Sequence, residues 1–388
     1  MDKLPANSSS ANAIHPVASS TPSLLPAHAR LGYAKSLDGI RGLAVLAVLG
    51  HNLGIRWLQG GFFGVDMFFA LSGFLISTLL LEDYLGHGGI SLSRFFRRRF
   101  LRLYPALILL VAASALSSVL RAEVELPRVG LVVASALLYF SNWVIITDSR
   151  AWMGGLGHTW SLAVEMHFYV LWAVTLCLVT RRWGARLGPL LTLALGVAVV
   201  SAAWRAAVWV GSDNLNRAYG GTDTRLDAIF LGAAAALFRL EHLLNPVAGG
   251  WAGRPRWAVR ALEVFLAVAV GWLIYRTPNL SPVALLGGIG LIGGATALLI
   301  LTTLLSPHSL LAGPLQTPML VWFGQISYSL YLWHVPVGKL LTPDRLARFG
   351  LGHWVAEVLR VLVSVALAAA SYYGVERAFL RRRGKARG

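Results

Sequence analysis

Cysteine is nearly missing from this chain: among 388 residues there is one, Cys177, set in an apolar run. A single thiol excludes a disulfide framework, a cysteine metal site and a CxxC redox pair. The apolar setting of Cys177 reads as helix packing, so no acyl-cysteine intermediate is expected. Charge is scarce too, at 13% of residues where a soluble domain carries about 25%. Hydrophobic residues make up 56%, and the mean hydropathy is +0.64. These proportions exclude a soluble enzyme and indicate an all-α, polytopic bundle of membrane helices. Acidic residues are the scarcer sign, 17 against 34 Lys and Arg. In a membrane chain that imbalance marks cytoplasmic loops, not a nucleic-acid partner. There is no HxxxH or HExxH for a metal, no P-loop, no GxGxxG before a helix, and no GxSxG nucleophile elbow.

What is there in quantity is long apolar sequence. Runs recur at 37–56, 61–82, 100–120, 129–147, 159–180, 187–210, 224–240, 257–275, 283–305, 318–340 and 353–379. The basic loops are Arg94–Arg102, Arg181–Arg186, Arg239–Arg260 and Arg381–Arg387. If all eleven runs crossed, the first two of these loops would lie on opposite sides of the membrane. Removing one crossing between them puts all four in the cytoplasm. Ser141 and Asn142 interrupt 129–147, which makes it the run to remove. The expectation is about ten transmembrane helices with both termini cytoplasmic. Residues 1–36, rich in Ala, Ser and Pro, read as a disordered cytoplasmic tail. Residues 37–380 form the membrane domain, and 381–388 a basic cytoplasmic tail. No signal peptide is evident, and no extramembrane segment is long enough to fold alone.

Polar groups inside these runs are costly and usually face a cavity or a partner. The first helix, LDGIRGLAVLAVLGHN, carries Asp38, Arg41 and His51. Asp38 and Arg41, three apart, can pair, and His51 places a neutral-pH base at membrane depth. Asp66, in GGFFGVDMFFALSGF, wants a cation, with Arg41 or His51 on the neighbouring helix in range. In RFFRRRFLRLYP, Arg94, Arg98 and Arg102 repeat every four residues as one stripe, with Arg97 beside it. Such a stripe can bind anionic lipid headgroups or grip a phosphate bidentately. In GHTWSLAVEMHFY, Ser161, Glu165 and Tyr169 share one helix face, so Glu165 calls for a distant His or Arg; Trp160 also fits an interfacial aromatic belt. In GGTDTRLDAIFLG, Thr222 or Asp223 is a candidate N-cap. Arg225 is then a site residue or the partner of Asp227 or Glu165. In SYSLYLWHVP, Tyr328, Tyr331 and His334 fall on one face, and Pro336 suggests a broken helix end. Glu376-Arg377 reads as a cytoplasmic helix end.

In their order, LDGIRG, GVDMFFALSGF, RFFRRR, WSLAVE and YSLYLWHVP resemble the acyltransferase-3 family of integral membrane acyltransferases. The resemblance runs from about Leu37 to Arg377. It implies transfer of an acyl group, usually acetyl from cytoplasmic acetyl-CoA, to hydroxyls of glycans or glycosylated small molecules. No cofactor would be bound permanently; acyl-CoA is the donor substrate. The resemblance makes His51 the catalytic base or acyl relay, with Arg41 in the same essential pair. It makes Arg94, Arg97 and Arg98 holders of the CoA phosphates, and Arg102 completes their stripe. Asp66 and Glu165 become candidate catalytic residues. Arg225, Trp160, Tyr328 and His334 become candidate acceptor contacts. One departure stands out. The family advances eleven residues from arginine to histidine, whereas Arg41 to His51 is ten. That turns His51 roughly 80° off the Arg41 face unless a π-bulge or a wide cavity intervenes.

The expected activity is therefore O-acyl transfer from acyl-CoA to a sugar-containing acceptor, a cell-surface or exported glycan, in contact with membrane lipids. The competing expectation is a transporter or flippase for a glycan or the acyl donor, which buried charges and broken helices also fit. Acyl-CoA affinity at the arginine cluster separates the two.

Overall fold

The computed structural model describes residues 29–120, 126–148, 154–212, 214–245 and 253–379. Every regular element among them is helical. In chain order these are α1 (Lys35–Asn52), α2 (Gly64–His87), α3 (Leu92–Leu120), α4 (Leu126–Leu137), α5 (Ser141–Thr147), α6 (Trp160–Trp183), α7 (Leu187–Gly211) and α8 (Leu215–Gly220). There follow α9 (Leu226–Leu244), α10 (Arg256–Arg276), α11 (Ile289–Leu305), α12 (Ala312–Leu315), α13 (Pro318–Leu340), α14 (Pro343–Ala347) and α15 (His353–Ser371). Ten of these helices, α1, α2, α3, α6, α7, α9, α10, α11, α13 and α15, are 17 residues or longer. The described chain is thus the all-α polytopic bundle that the hydropathy indicates.

Seven helical stretches are long and apolar enough to cross a membrane. The remaining long helices, α1, α9 and α13, fall outside that set. Charge is the reason for two of them: α1 carries Lys35, Asp38 and Arg41, and α9 carries Asp227, Arg239 and Glu241. These are also central helices, turned towards protein instead of lipid, so polar side chains on them find partners. One close crossing joins α2 and α9. A Cβ added at Gly73 would lie 1.8 Å from the Ile229 carbonyl oxygen, and one at Gly232 would lie 1.9 Å from that of Ala70. Two backbones meet there because neither glycine has a side chain. Around this contact packs a core of Phe168, Trp172, Phe230 and Leu237, all buried.

The run at 129–147 does split where Ser141 and Asn142 interrupt it. α4 ends at Leu137, α5 begins at Ser141, and Tyr139 between them has φ 57°. Neither piece approaches the roughly 20 residues a span requires. Cys177 is buried on α6, as helix packing.

Three local expectations are corrected. Pro336 does not end a helix: α13 runs through it to Leu340. The proline removes one backbone N–H and frees the Leu332 carbonyl, and the His158 imidazole lies against that carbonyl. Neither Thr222 nor Asp223 caps α9, whose N-cap is Arg225 without a side-chain cap bond. Asp223 instead takes Arg217 at 2.5 Å and Trp204 Nε1 at 2.7 Å. Glu376 is no exposed helix end but is buried in a π-turn, Tyr372–Glu376, accepting a hydrogen bond from Ser329 Oγ. Of the expected tails, residues 1–28 and 380–388 lie outside the described residues. Residues 29–34 rest on the bundle, where Leu31 N donates to Glu82.

Candidate active site

α1, α2, α3, α6 and α13 enclose a cavity of about 750 Å³, mouth included. Its polar wall comes from α6. A four-residue spacing returns a helix to nearly the same face, so Ser161, Glu165 and Tyr169 all line it. Glu165 accepts hydrogen bonds from Ser72 Oγ on α2 and from the Tyr169 hydroxyl. The distant His or Arg expected for Glu165 is thus replaced by two hydroxyls as direct partners. Above them the Tyr331 hydroxyl lies 2.6 Å from Ser161 Oγ and donates to the His158 carbonyl at 2.9 Å. Tyr328 donates to the Leu103 carbonyl at 2.8 Å. That bond ties α13 to α3.

The opposite wall is cationic. Arg41 from α1 and Arg99 and Arg102 from α3 line the same cavity. Arg41 lies within Coulombic range of Arg102, which repels it, and of Asp38 and Glu165, which attract it. The Arg41–Asp38 contact is a loose 3.8 Å. Glu376 also lies within Coulombic range of Arg41 and Arg102. Like charges in a low-dielectric wall favour an anion between them. Guanidinium groups suit a phosphate in particular, which they meet with two parallel N–H bonds.

The stripe read from the sequence is therefore rotated. Arg102 faces the cavity, but its partner there is Arg99, three residues before it, and not Arg98 or Arg94. Arg94 pairs with Asp83 at 2.8 Å. Arg98 borders a shallow hollow with Asp83 and Phe95, and Arg97 is exposed. The clue in the sequence was the i, i+3 pair Arg99–Arg102, hidden in an arginine-rich run.

His51 stands apart from the cavity. α1 is α-helical from Lys35 to Asn52 with no π-turn, so the ten-residue advance turns His51 off the Arg41 face. Its ring meets Phe62 edge-on at 5.5 Å. Arg41 and His51 are some 15 Å apart along the axis, and the structure does not bring them into one site.

Asp66 does not pair with Arg41 or His51, nor Arg225 with Asp227 or Glu165. Asp66 and Arg225 pair with each other at 2.7 Å, both fully buried. Arg225 sits among rings, with centroids of Tyr219 at 4.8 Å, Trp160 at 5.3 Å and Phe69 at 5.6 Å. Asp227 takes Arg205 of α7 at 2.8 Å. This double pair lies behind the cavity wall that Phe69 forms. Tyr328 faces the cavity; His334 lies behind Tyr331, with its ring 5.5 Å from that of His158. Ser72, Tyr169, Arg99, Arg205 and Glu376 belong to these polar clusters and were not singled out as site residues from sequence. Among the described residues no group of three or more His, Cys, Asp or Glu could hold a metal.

Comparison with known proteins places the chain in a family. The family model described as "Acyltransferase domain" matches residues 34–373. A peptidoglycan O-acetyltransferase of Listeria monocytogenes is 32% identical over 320 residues, 80% of this chain and 50% of that protein. A putative peptidoglycan O-acetyltransferase of Bacillus subtilis is 33% identical over 358 residues, 89% of this chain and 54% of that protein. A putative O-acetyltransferase of Staphylococcus aureus is 32% identical over 319 residues, 79% of this chain and 51% of that protein. The chain thus spans about half the length of the curated relatives it matches. No solved structure matches it. A buried, arginine-walled cavity in a helical membrane bundle, and a family match over almost the whole described chain, lead to one assignment: the chain belongs to the Acyltransferase-domain family of integral membrane acyltransferases.

Proposed function

We propose that the protein O-acetylates a cell-wall glycan, taking the acetyl group from cytoplasmic acetyl-CoA, in a bacterial cytoplasmic membrane with the α3 arginines on the inner side. The observation that carries this reading is the cavity joining Arg41, Arg99 and Arg102 to a hydroxyl cluster around Glu165. The arginines hold the donor's anionic phosphates, and the thioester reaches the Glu165 end. Glu165 takes the proton from an attacking sugar hydroxyl, whose oxygen bonds to the acyl carbon. The carbon–sulfur bond breaks, and the thiolate leaves and takes up a proton as CoA thiol. The Ser161 hydroxyl on the same wall, held beside Tyr331, is the donor that steadies the oxyanion. The names of the relatives support acetyl as the group and peptidoglycan as the glycan.

The test is CoA release and acetyl transfer by purified protein, wild type against Arg102→Ala, Glu165→Gln and His51→Ala. Arg102→Ala is expected to raise KM for acetyl-CoA about ten-fold or more, the value of a charge-assisted bond. Glu165→Gln is expected to lower kcat about 10²–10⁴-fold, the usual range for a lost base. Absence of CoA release by the wild type overturns the donor. His51→Ala separates two forms of the mechanism: full activity removes His51 from the reaction, whereas loss in a folded variant assigns it the base or acyl-relay role implied by the family resemblance.

A further inference from the structure

A second hollow opens at the far end of α3 from the arginines, with about 510 Å³ of space including its mouth. Its wall is a serine face of α3, Ser114, Ser117 and Ser118, opposite Trp333 and Lys339 of α13. Residues three and four apart share a helix side, so these hydroxyls point one way. A smaller hollow of about 200 Å³ adjoins it and shares Ser114 and Ser118. Ser114 is 9% exposed, and among the described residues its Oγ has no hydrogen-bond partner, nor has the buried Nε1 of Trp333. Ser118 Oγ already donates to the Ser114 carbonyl at 2.8 Å, which leaves its lone pairs to accept. Lys339 donates to the Gly154 carbonyl at the wall and brings a positive charge there.

A buried hydroxyl and an indole N–H without protein partners cost free energy unless water or a ligand meets them. An indole beside several hydroxyls is a surface for a sugar ring, apolar on its face and polar at its edge. The ammonium favours a sugar that bears a carboxylate. Position agrees with this chemistry. Ser114 is twelve residues beyond Arg102, about 18 Å along the axis, and so lies towards the opposite side of the membrane. Trp333 is two residues past Tyr331, which lines the arginine-walled cavity.

The geometry points to this hollow as the acceptor subsite, binding an acidic aminosugar segment of the cell-wall glycan through Ser114, Trp333 and Lys339. It rests on the acyltransferase reading for its acceptor, and on the hollow alone for its location.

The test is donor-free binding, by saturation-transfer NMR on detergent-purified protein. The probes are an N-acetylglucosamine pentamer and a lysozyme-released muropeptide that carries carboxylates. Wild type is expected to bind both, the acidic probe more tightly. Ser114→Leu fills the hollow and is expected to weaken binding of both at least ten-fold; Ser114→Ala keeps the space and is expected to weaken it less than three-fold. Lys339→Gln is expected to abolish the preference for the acidic probe. Val199→Leu on the exposed face of α7 serves as the control, and melting temperature reports folding. Wild-type affinity in Ser114→Leu and an unchanged preference in Lys339→Gln overturn the assignment, as does no binding by folded wild type. Acetyl-CoA hydrolysis, measured separately, tests the donor reading and leaves this result intact.

Discussion

The Asp66–Arg225 pair makes a quantitative prediction. Both side chains are fully buried, their charges meet at 2.7 Å, and three aromatic rings surround the guanidinium. Arginine cannot shed its proton in a protein, so removing Asp66 leaves a charge without a counter-ion in low dielectric, and removing Arg225 leaves a buried carboxylate that must stand unpaired or be driven to bind a proton. Breaking such a pair costs about 3–5 kcal/mol. Arg225→Met and Asp66→Asn are each expected to destabilise by that amount. The double variant strands no charge. It forfeits the pair and the ring contacts, worth about 1–2 kcal/mol, while Arg205 and Asp227 keep each other. The double variant should therefore be more stable than either single one, with a coupling of several kcal/mol between the sites. Reversible unfolding in mixed micelles, followed by helicity and tryptophan fluorescence, measures all four corners of the cycle. Single variants that cost under about 1 kcal/mol, or costs that simply add in the double, would refute the argument that this pair is a closed electrostatic unit.

Gly73→Ala and Gly232→Ala should each destabilise by about 1–3 kcal/mol, the cost of forcing atoms into a packed contact, while Gly196→Ala, where a Cβ meets nothing within 4 Å, should be neutral; melting in detergent compares them, and equal effects at all three sites would contradict the α2–α9 approach. Burial raises the Asp223 pKa, but its hydrogen bonds from Arg217 and Trp204 and the Arg217 charge outweigh burial and hold it below the usual value. Its contribution to stability is then complete above its unfolded pKa near 4 and lost as pH falls through the lower folded value. The melting temperature of Asp223→Asn should accordingly converge on that of wild type as pH drops below about 4, and a gap that widens there would reverse the sign. Tyr169→Phe removes one of the two hydroxyls on Glu165 and should lower kcat with little change in KM for acetyl-CoA, read from initial rates of CoA release.

What the sequence made legible was periodic. Ser161, Glu165 and Tyr169 repeat every four residues and do share a wall. Ser141 and Asn142 do mark a break. The partners of buried charges were not legible, because Asp66 finds Arg225 from 159 residues away. Spacing along one helix says nothing of which distant helix lies opposite. Which of the α3 arginines face the cavity was not legible for a related reason. Five of them crowd one run, and its rotation is set by tertiary contacts, among them Arg94 against Asp83, that no local pattern encodes. His51 was found as a residue, and the ten-residue advance already foretold its turn away from Arg41. Apolar periodicity gave little help with helix rotation, since lipid and protein interior are alike in polarity and a span is greasy all round.

The split of 126–147 at Tyr139 bears on how the chain is made. Asn142 at that break donates to the Gly220 carbonyl at 3.2 Å and to Thr222 Oγ1 at 3.1 Å, partners 78 and 80 residues downstream. Two short helices without a full apolar span give an insertion machine no complete segment to release into lipid. Until residues 220–222 are synthesised, the Asn142 side-chain amide lacks these two partners. This break therefore completes its polar contacts only after the helices that follow it in the chain are made, which places a step of post-insertional assembly there.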